Sequence, residues 1–250
     1  MTVLPTTAPL TCRMAQTPRD IVACQALRHA CFHGQDGLDV DQFDDRSDHV
    51  MIEQDAQLIC TLRLRVLLDG ADFGQTYTGS FYDFGPITGP TIEIGRFCVV
   101  KDAFSAGVLM LAWSAITQHV DAHKVTHLFG CASFSGTDPT AYADAFGSLH
   151  DQHVGNIKVA PKVIDNKSLF SFFEAGFDPR RAAHQMPPLL RSYLGMGGYV
   201  SDHLIIDRDL GTLHVFTGLD IAAIPVARVR SLRAHAAQTQ GLHMGPVRST

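Results

Sequence analysis

Residues 89–100, GPTIEIGRFCVV, place two charged side chains, Glu93 and Arg96, inside a run that otherwise has the apolar, β-branched make-up of a buried strand. Burying a carboxylate and a guanidinium costs free energy unless they find partners or serve chemistry. The pair therefore offers either a proton-handling carboxylate with a cation nearby, or one polar face of a sheet. A second acidic constellation lies upstream in GQDGLDVDQFDDRSD, where Asp41 and Asp44 stand three apart. Carboxylates at this spacing suit bidentate pairing with arginines, or a cationic ligand. His119, His123 and His127 are four apart, which on one helix would make a metal-binding face. However, residues 126–134 read as a strand, which breaks the helix before His127, so no metal is expected. Six cysteines, Cys12, Cys24, Cys31, Cys60, Cys98 and Cys131, include no C-x-x-C pair and read as free thiols.

These residues need elements to hold them. Pro18 opens a helical pattern that runs through Phe32, and the Gly- and Asp-rich segment after it reads as a long loop. Residues 49–54 and 58–68 read as strands, the second alternating Leu62, Leu64 and Val66 against Arg63 and Arg65. A Gly- and aromatic-rich connection, residues 71–90, leads to the strand that carries Glu93. A strongly apolar helix spans Ala106 to Ala122, and the strand 126–134 follows. Asp138-Pro139 opens a helix through His150. The run KSLFSFFEAGF predicts a helix from Lys167 ended by Gly176, and residues 187–194 a short helix. GYVSDHLIID and GTLHVFTG form a late strand pair joined by a turn at residues 208–211. A basic helix, Ile221 to His235, carries Arg228, Arg230 and Arg233. Residues 1–16 read as a loose lead-in, 17–235 as one domain and 236–250 as a flexible tail. Strand–helix–strand crossovers imply an α/β sheet with helices packed on it.

Composition narrows the function classes. The chain has 250 residues and a formal net charge of −5, so it is no general polyanion binder, and nucleic acid is not expected as a partner. The first residues lack the basic and apolar regions of a signal peptide, and no stretch reaches the roughly 18 apolar residues of a spanning helix. A cytoplasmic protein, in peripheral contact with a membrane surface at most, is the expectation.

The run EIGRFCVV, followed by an apolar helix with no Gly-rich pyrophosphate loop, resembles the fourth strand of acyl-homoserine lactone synthases and their relatives. ALRHACF supplies Arg28 and Phe32 of the same pattern, DVDQFDD supplies Asp41, Phe43 and Asp44, and CTLRLR supplies Arg63. Further along, LFGCASFSGTDP, LHDQHV, LLRSYLGMGGYVSDHLIIDRDLGTLHVFTGLD and IPVARVRSL resemble the ornithine N-acyltransferases of bacterial ornithine-lipid synthesis. The resemblance covers roughly residues 20 to 235. It implies a GNAT-like α/β (α+β) fold, with a mixed, mostly antiparallel sheet flanked by helices. It also implies transfer of a 3-hydroxyacyl group from acyl carrier protein to the α-amine of ornithine, giving a lyso-lipid. No cofactor is implied beyond the phosphopantetheine thioester of the donor, and the acyl carrier protein is the implied partner. Two departures matter. No His-x4-Asp motif for activating a hydroxyl is present, so the chain should make the amide and not an ester. The one tryptophan, Trp113, sits in the apolar helix, which counts against lactone synthesis.

Within that resemblance, Glu93 is the candidate base, acting directly or through a water, or else it positions the amine as an ammonium. Backbone N–H groups from Gly95 to Phe97 would hold the oxyanion. Arg96 would anchor the phosphopantetheine or brace the Asp loop. Arg28, Phe32, Asp41, Asp44 and Arg63 belong to the substrate side, where the aspartates hold either the arginines or a cationic acceptor. Phe81, Phe84, Phe97, Trp113, Phe129 and Phe134 are candidates for an acyl slot, or plain core. Carrier protein is acidic, so Lys158, Lys162 and Lys167, or Arg180 and Arg181, are candidate docking cations. The rival readings are the same reaction on glutamine, a homoserine lactone synthase, and a non-catalytic module that binds carrier protein or lipid.

Overall fold

The computed structural model describes residues 9–68, 73–83, 87–155, 161–164, 169–171 and 176–239. The chain forms two compact units, each discontinuous in sequence: Met1–Arg63, Arg96–Gln118 and Leu232–Thr250 make the first, Leu64–Gly95 and His119–Ser231 the second.

In the first unit, β1 (Leu10–Met14) pairs antiparallel with β2 (Asp48–Gln54), Leu10 opposite Gln54 and Met14 opposite Val50. Between them lies α1 (Pro18–His33). Its start is fixed by a reciprocal cap. Thr17 Oγ1 accepts from the Asp20 N–H at 3.2 Å, and Asp20 Oδ2 accepts from the Thr17 N–H at 3.0 Å, with Pro18 at the first helical position. Gly34, at φ 68°, ends the helix in the left-handed conformation that favours glycine. β2 turns into β3 (Gln57–Leu67) through Asp55 and Ala56, both at positive φ, the twist that two-residue hairpins need. Val50, Ile52, Cys60 and Leu62 are buried, as are Val108, Ala112, Trp113 and Ile116 of α2 (Ala106–His123).

In the second unit the first half of β5 (Thr91–Val99) runs parallel to β6 (His127–Ser135), Thr91 opposite His127 and Ile94 opposite Gly130. β6 pairs antiparallel with β11 (Thr212–Asp220) along its whole length. β11 pairs in turn with β10 (His203–Asp207), and β10 with β8 (Leu169–Ser171). The sheet is thus mixed and mostly antiparallel. Alternation along the strands sends Phe134, Leu213, Val215 and Leu204 to one face, under α3 (Ala143–Gln152), α4 (Pro179–Gln185) and α5 (Pro188–Leu194). Phe129, Phe216 and Ile205 take the other face, packed with Leu67, Tyr82 and Ile87. Tyr82 belongs to a short strand, β4 (Tyr82–Asp83), which pairs with β7 (Lys162–Val163). A two-residue strand, β9 (Tyr199–Val200), adds to β11, and α6 (Val226–Gln238) follows Asp220.

Three expectations are corrected. The lead-in to residue 16 is not wholly loose, because Leu10–Met14 satisfies its backbone against β2. Leu169–Ser171 is not helical: Leu169 pairs with Ile205 and Ser171 with His203, so a short apolar run that fits either period is drawn onto the open side of β10. The last helix starts at Val226, after a 3-10 turn at Ile221–Ala223, and runs past His235 to Gln238. α2 ends at His123 and β6 begins at His127, so the three histidines do not share a helix. Among the described residues no helix is long and apolar enough to cross a membrane.

Candidate active site

The first unit gathers three arginines and three aspartates. Arg28 on α1 is fully buried. Its Nη1 and Nη2 donate to the two oxygens of Asp44 at 2.9 and 2.8 Å, a fork-to-fork pair. Arg28 Nη2 also donates to the Asp39 carbonyl. Arg63 on β3 places Nη1 2.5 Å from Asp41 Oδ1 and 2.8 Å from Asp44 Oδ1. Arg96 on β5 donates from Nε to Asp39 Oδ2 at 2.9 Å and from Nη2 to Asp41 Oδ2 at 3.0 Å. Gln25 Nε2 completes Asp44 at 2.9 Å. The arginines stand over aromatic rings as well, Arg63 over Phe43 and Arg96 over Phe32, each 5.7 Å from the ring centre.

Opposite charges balance in this network, which is why burial is tolerable. Burial pushes the Asp44 carboxyl up, but the hydrogen bonds and charge of Arg28, with Gln25 and Arg63, outweigh it and hold the group below the usual carboxylate range. His49, beside Arg28, goes the other way: burial first, then the Arg28 charge, lowers it to about 4, so the ring is neutral. The sequence singled out Arg28, Asp41, Asp44, Arg63 and Arg96, and the structure brings all five together. It adds Asp39, whose carboxylate serves Arg28 and Arg96 at once. Asp39 lies two residues before Asp41 in the same acidic loop, a signal that the three-residue spacing passed over.

In the second unit Glu93 is 3 % exposed. Its Oε1 accepts the backbone N–H of Thr78 at 2.6 Å. Among the described residues Oε2 accepts no hydrogen bond. One oxygen is thus fixed by the fold, and no hydrogen bond from a described residue engages the other. Thr78 begins a 3-10 turn, Thr78–Ser80, in the connection that the sequence marked only as Gly- and aromatic-rich. A backbone donor leaves no trace in residue type, so its role was not readable there. Gly79 is required next to it, since a Cβ would stand 1.7 Å from the Phe73 carbonyl oxygen.

The parallel ladder ends at Ile94 and Gly130, although β5 runs on to Val99 and β6 to Ser135. Gly130 closes it: a Cβ there would lie 2.2 Å from Ile94 O. Beyond the ladder, a Cβ at Gly95 would meet nothing within 4 Å, and Arg96 takes φ 53°, a left-handed conformation that costs a non-glycine residue energy. The left-handed residue therefore comes directly after open space.

A family model described as an acetyltransferase (GNAT) domain matches residues 21–114. An L-ornithine N(alpha)-acyltransferase of Rhodobacter capsulatus is 30% identical over 233 residues, covering 85% of this chain and 90% of that protein. The protein of the same name from Rhizobium meliloti is 27% identical over 251 residues, covering 89% and 83%. The chain belongs to the L-ornithine N(alpha)-acyltransferase family. It is therefore an amide-forming N-acyltransferase. Among solved structures, the CoA-dependent acyl-homoserine lactone synthase BjaI, with MTA, superposes with a TM-score of 0.52 at 10% identity, covering 92% of this chain and 90% of that one. At that identity the likeness is one of fold.

Of this N-acyltransferase's acyl-slot candidates, Phe81, Phe129 and Phe134 belong to the second unit and Phe97 and Trp113 to the first. Phe129 and Phe81 pack on the sheet face that Glu93 shares through its register with Phe129. Phe134 points to the opposite face and packs with Phe146 and Tyr142, ring centres 4.8 and 5.1 Å away. Trp113 is buried in α2, Phe97 is half-buried, and Phe84 lies outside the described residues. Of the docking cations, Lys162 and Arg180 are exposed, and Arg181 pairs with Asp144 at 3.0 Å. Lys158 and Lys167 lie outside the described residues.

Proposed function

We propose that this chain transfers a 3-hydroxyacyl group from acyl carrier protein to the α-amine of ornithine, releasing a lyso-ornithine lipid for a later O-acylation. The acceptor is carried by the relatives' names, and the donor by the resemblance of the EIGRF run and of the second-half motifs. The observation that carries the chemistry is the Glu93 carboxylate, buried and held on one oxygen by Thr78.

An α-ammonium cannot attack a thioester until it loses a proton. Glu93 Oε2 takes that proton, directly or through one water. The nitrogen then adds to the thioester carbonyl, and the resulting oxyanion is met by backbone N–H groups just past the end of the ladder, from Gly95 on. The C–S bond breaks, the amide remains, and the pantetheine thiol leaves with a proton. Arg96, its side chain held by Asp39 and Asp41, keeps its left-handed backbone. Exposed Lys162 and Arg180 offer charge to the acidic carrier protein, and exposed Arg228 and Arg230 of α6 offer it to anionic headgroups at a membrane surface.

The test uses the purified chain, 3-hydroxyhexadecanoyl-acyl carrier protein and ornithine, with glutamine in parallel. Thiol release matched by the mass of acyl-ornithine supports the proposal. Acyl-glutamine alone would replace the acceptor, and carrier-protein binding with an intact thioester would replace catalysis by a binding role.

A further inference from the structure

The Thr78 amide can hold Glu93 only if Thr78 is itself held. The segment Phe73–Asp83 is stitched within itself: Thr76 Oγ1 donates to Phe73 O at 2.7 Å, and the Gly79 N–H donates to Thr76 Oγ1 at 2.9 Å. Such bonds shape the turn but do not fix where it sits on the sheet. Weak contacts do, Cys131 Sγ to Thr78 Oγ1 at 3.7 Å and Phe73 edge-on to Phe129, and one strong bond, from the Tyr77 hydroxyl to Asp207 Oδ2 at the end of β10. In the strand order β5, β6, β11, β10, Asp207 lies three strands from Glu93. Asp207 is 6% exposed, and its other oxygen accepts the N–H groups of Asp209 and Leu210, both at 3.0 Å. Its carboxylate is therefore clamped, and the bond from Tyr77 is charge-assisted.

We infer that Tyr77 and Asp207 are positioning residues for the reaction, a strut that sets the Thr78 N–H and through it the orientation of the Glu93 carboxylate. The inference rests on the reading of Glu93 as the group that takes the amine's proton. Tyr77 precedes Thr78 directly in the chain, so any shift of Tyr77 moves the donor on Glu93. A misplacement near 1 Å costs on the order of 100-fold in rate. Neither Tyr77 nor Asp207 touches the reacting atoms in this account. Their effect should appear in the proton-transfer step and leave donor binding alone.

The experiment compares two acceptors with acyl carrier protein thioester as donor: ornithine, whose amine must be deprotonated, and hydroxylamine, which is already neutral at neutral pH. Tyr77→Phe keeps the ring against Phe81 and His214 and removes only the hydroxyl. It should lower kcat with ornithine roughly 10- to 100-fold, leave the KM for the donor within about twofold, and leave the hydroxylamine rate near wild type. Glu93→Ala should show the same selective pattern, more strongly. Should Tyr77→Phe not fold, Asp207→Asn keeps a carbonyl oxygen for the two turn amides and puts an NH2 where Oδ2 stood, which cannot accept the Tyr77 O–H. Equal slowing with both amines would assign Tyr77 a merely structural part and overturn the strut. A wild-type rate in the Tyr77 variant beside a crippled Glu93→Ala would overturn the strut alone. A wild-type Glu93→Ala would remove its premise.

Discussion

Gly130 and Ile94 meet at the last rung of the parallel ladder so closely that a Cβ on Gly130 would stand 2.2 Å from the Ile94 carbonyl oxygen. The contact is to backbone, which cannot swing aside as a side chain can. Gly130→Ala should therefore wedge β5 from β6 and destabilise the fold by about 2 kcal/mol or more. Urea unfolding reads this directly. A midpoint equal to wild type would show that the ladder opens without cost.

One residue past that rung the situation reverses. Gly95 has open space where a Cβ would go, and its φ is not in the left-handed region. Gly95→Ala should leave the unfolding free energy, read from urea curves, within about 0.5 kcal/mol of wild type. Acyl transfer should nevertheless fall, because the proposed mechanism brings the thioester to this backbone. Unchanged turnover in the stable variant would move the oxyanion site elsewhere.

Glu93→Gln keeps a carbonyl oxygen for the Thr78 N–H and removes the ability to take a proton. The variant should fold as wild type and lose between about 100- and 10,000-fold in kcat with ornithine. Steady-state rates beside a thermal melt separate the two effects. A wild-type rate in the folded variant would remove Glu93 as the base.

The contrast between these residues explains what could be read in advance. Glu93 and Arg96 were legible because a charge in an apolar strand has to be accounted for. Arg28, Asp41, Asp44 and Arg63 were legible as a motif, and the strand carrying Arg63 showed a period of two. Thr78, Tyr77 and Asp207 were not. A backbone N–H has no residue signature, and a Tyr–Asp pair 130 residues apart is visible only after folding. β1, β4 and β7 escaped because two to five residues give too few periods to distinguish a strand from a loop. The aromatic character of Phe134 marked its burial and did not say which face of the strand it would take.

Asp44 is shared by Arg28, Arg63 and Gln25. Replacing it with alanine takes a carboxylate from two buried guanidiniums, leaving Arg28 its ion pair with Asp39 and Arg63 its ion pair with Asp41. The loss should be on the order of 3 kcal/mol, the usual cost of breaking a buried pair from one side. Asp44→Ala should also leave Arg96 tied to Asp39 and Asp41. Denaturant curves test the first point, and activity at low temperature, where the variant stays folded, tests the second. A loss below about 1 kcal/mol would mean that the remaining aspartates or water solvate the arginines fully.

His49 makes stability depend on pH with a definite sign. In the folded chain burial and the Arg28 charge lower it to about 4, against 6.5 for a free histidine. Between those values the unfolded chain binds a proton that the folded chain refuses. Stability from this group is therefore full above about pH 6.5 and is lost as the pH falls toward 4, about 3 kcal/mol in all. About 2 kcal/mol of that should be gone by pH 5. His153, also lowered by burial, contributes in the same direction, so the total slope does not isolate His49. The comparison with His49→Gln does: the variant should lose most of the slope between pH 6.5 and 5 in urea titrations, whatever its stability at neutral pH. An undiminished slope in the variant would place the acid sensitivity on other groups and show that the folded chain admits a proton at His49 without cost.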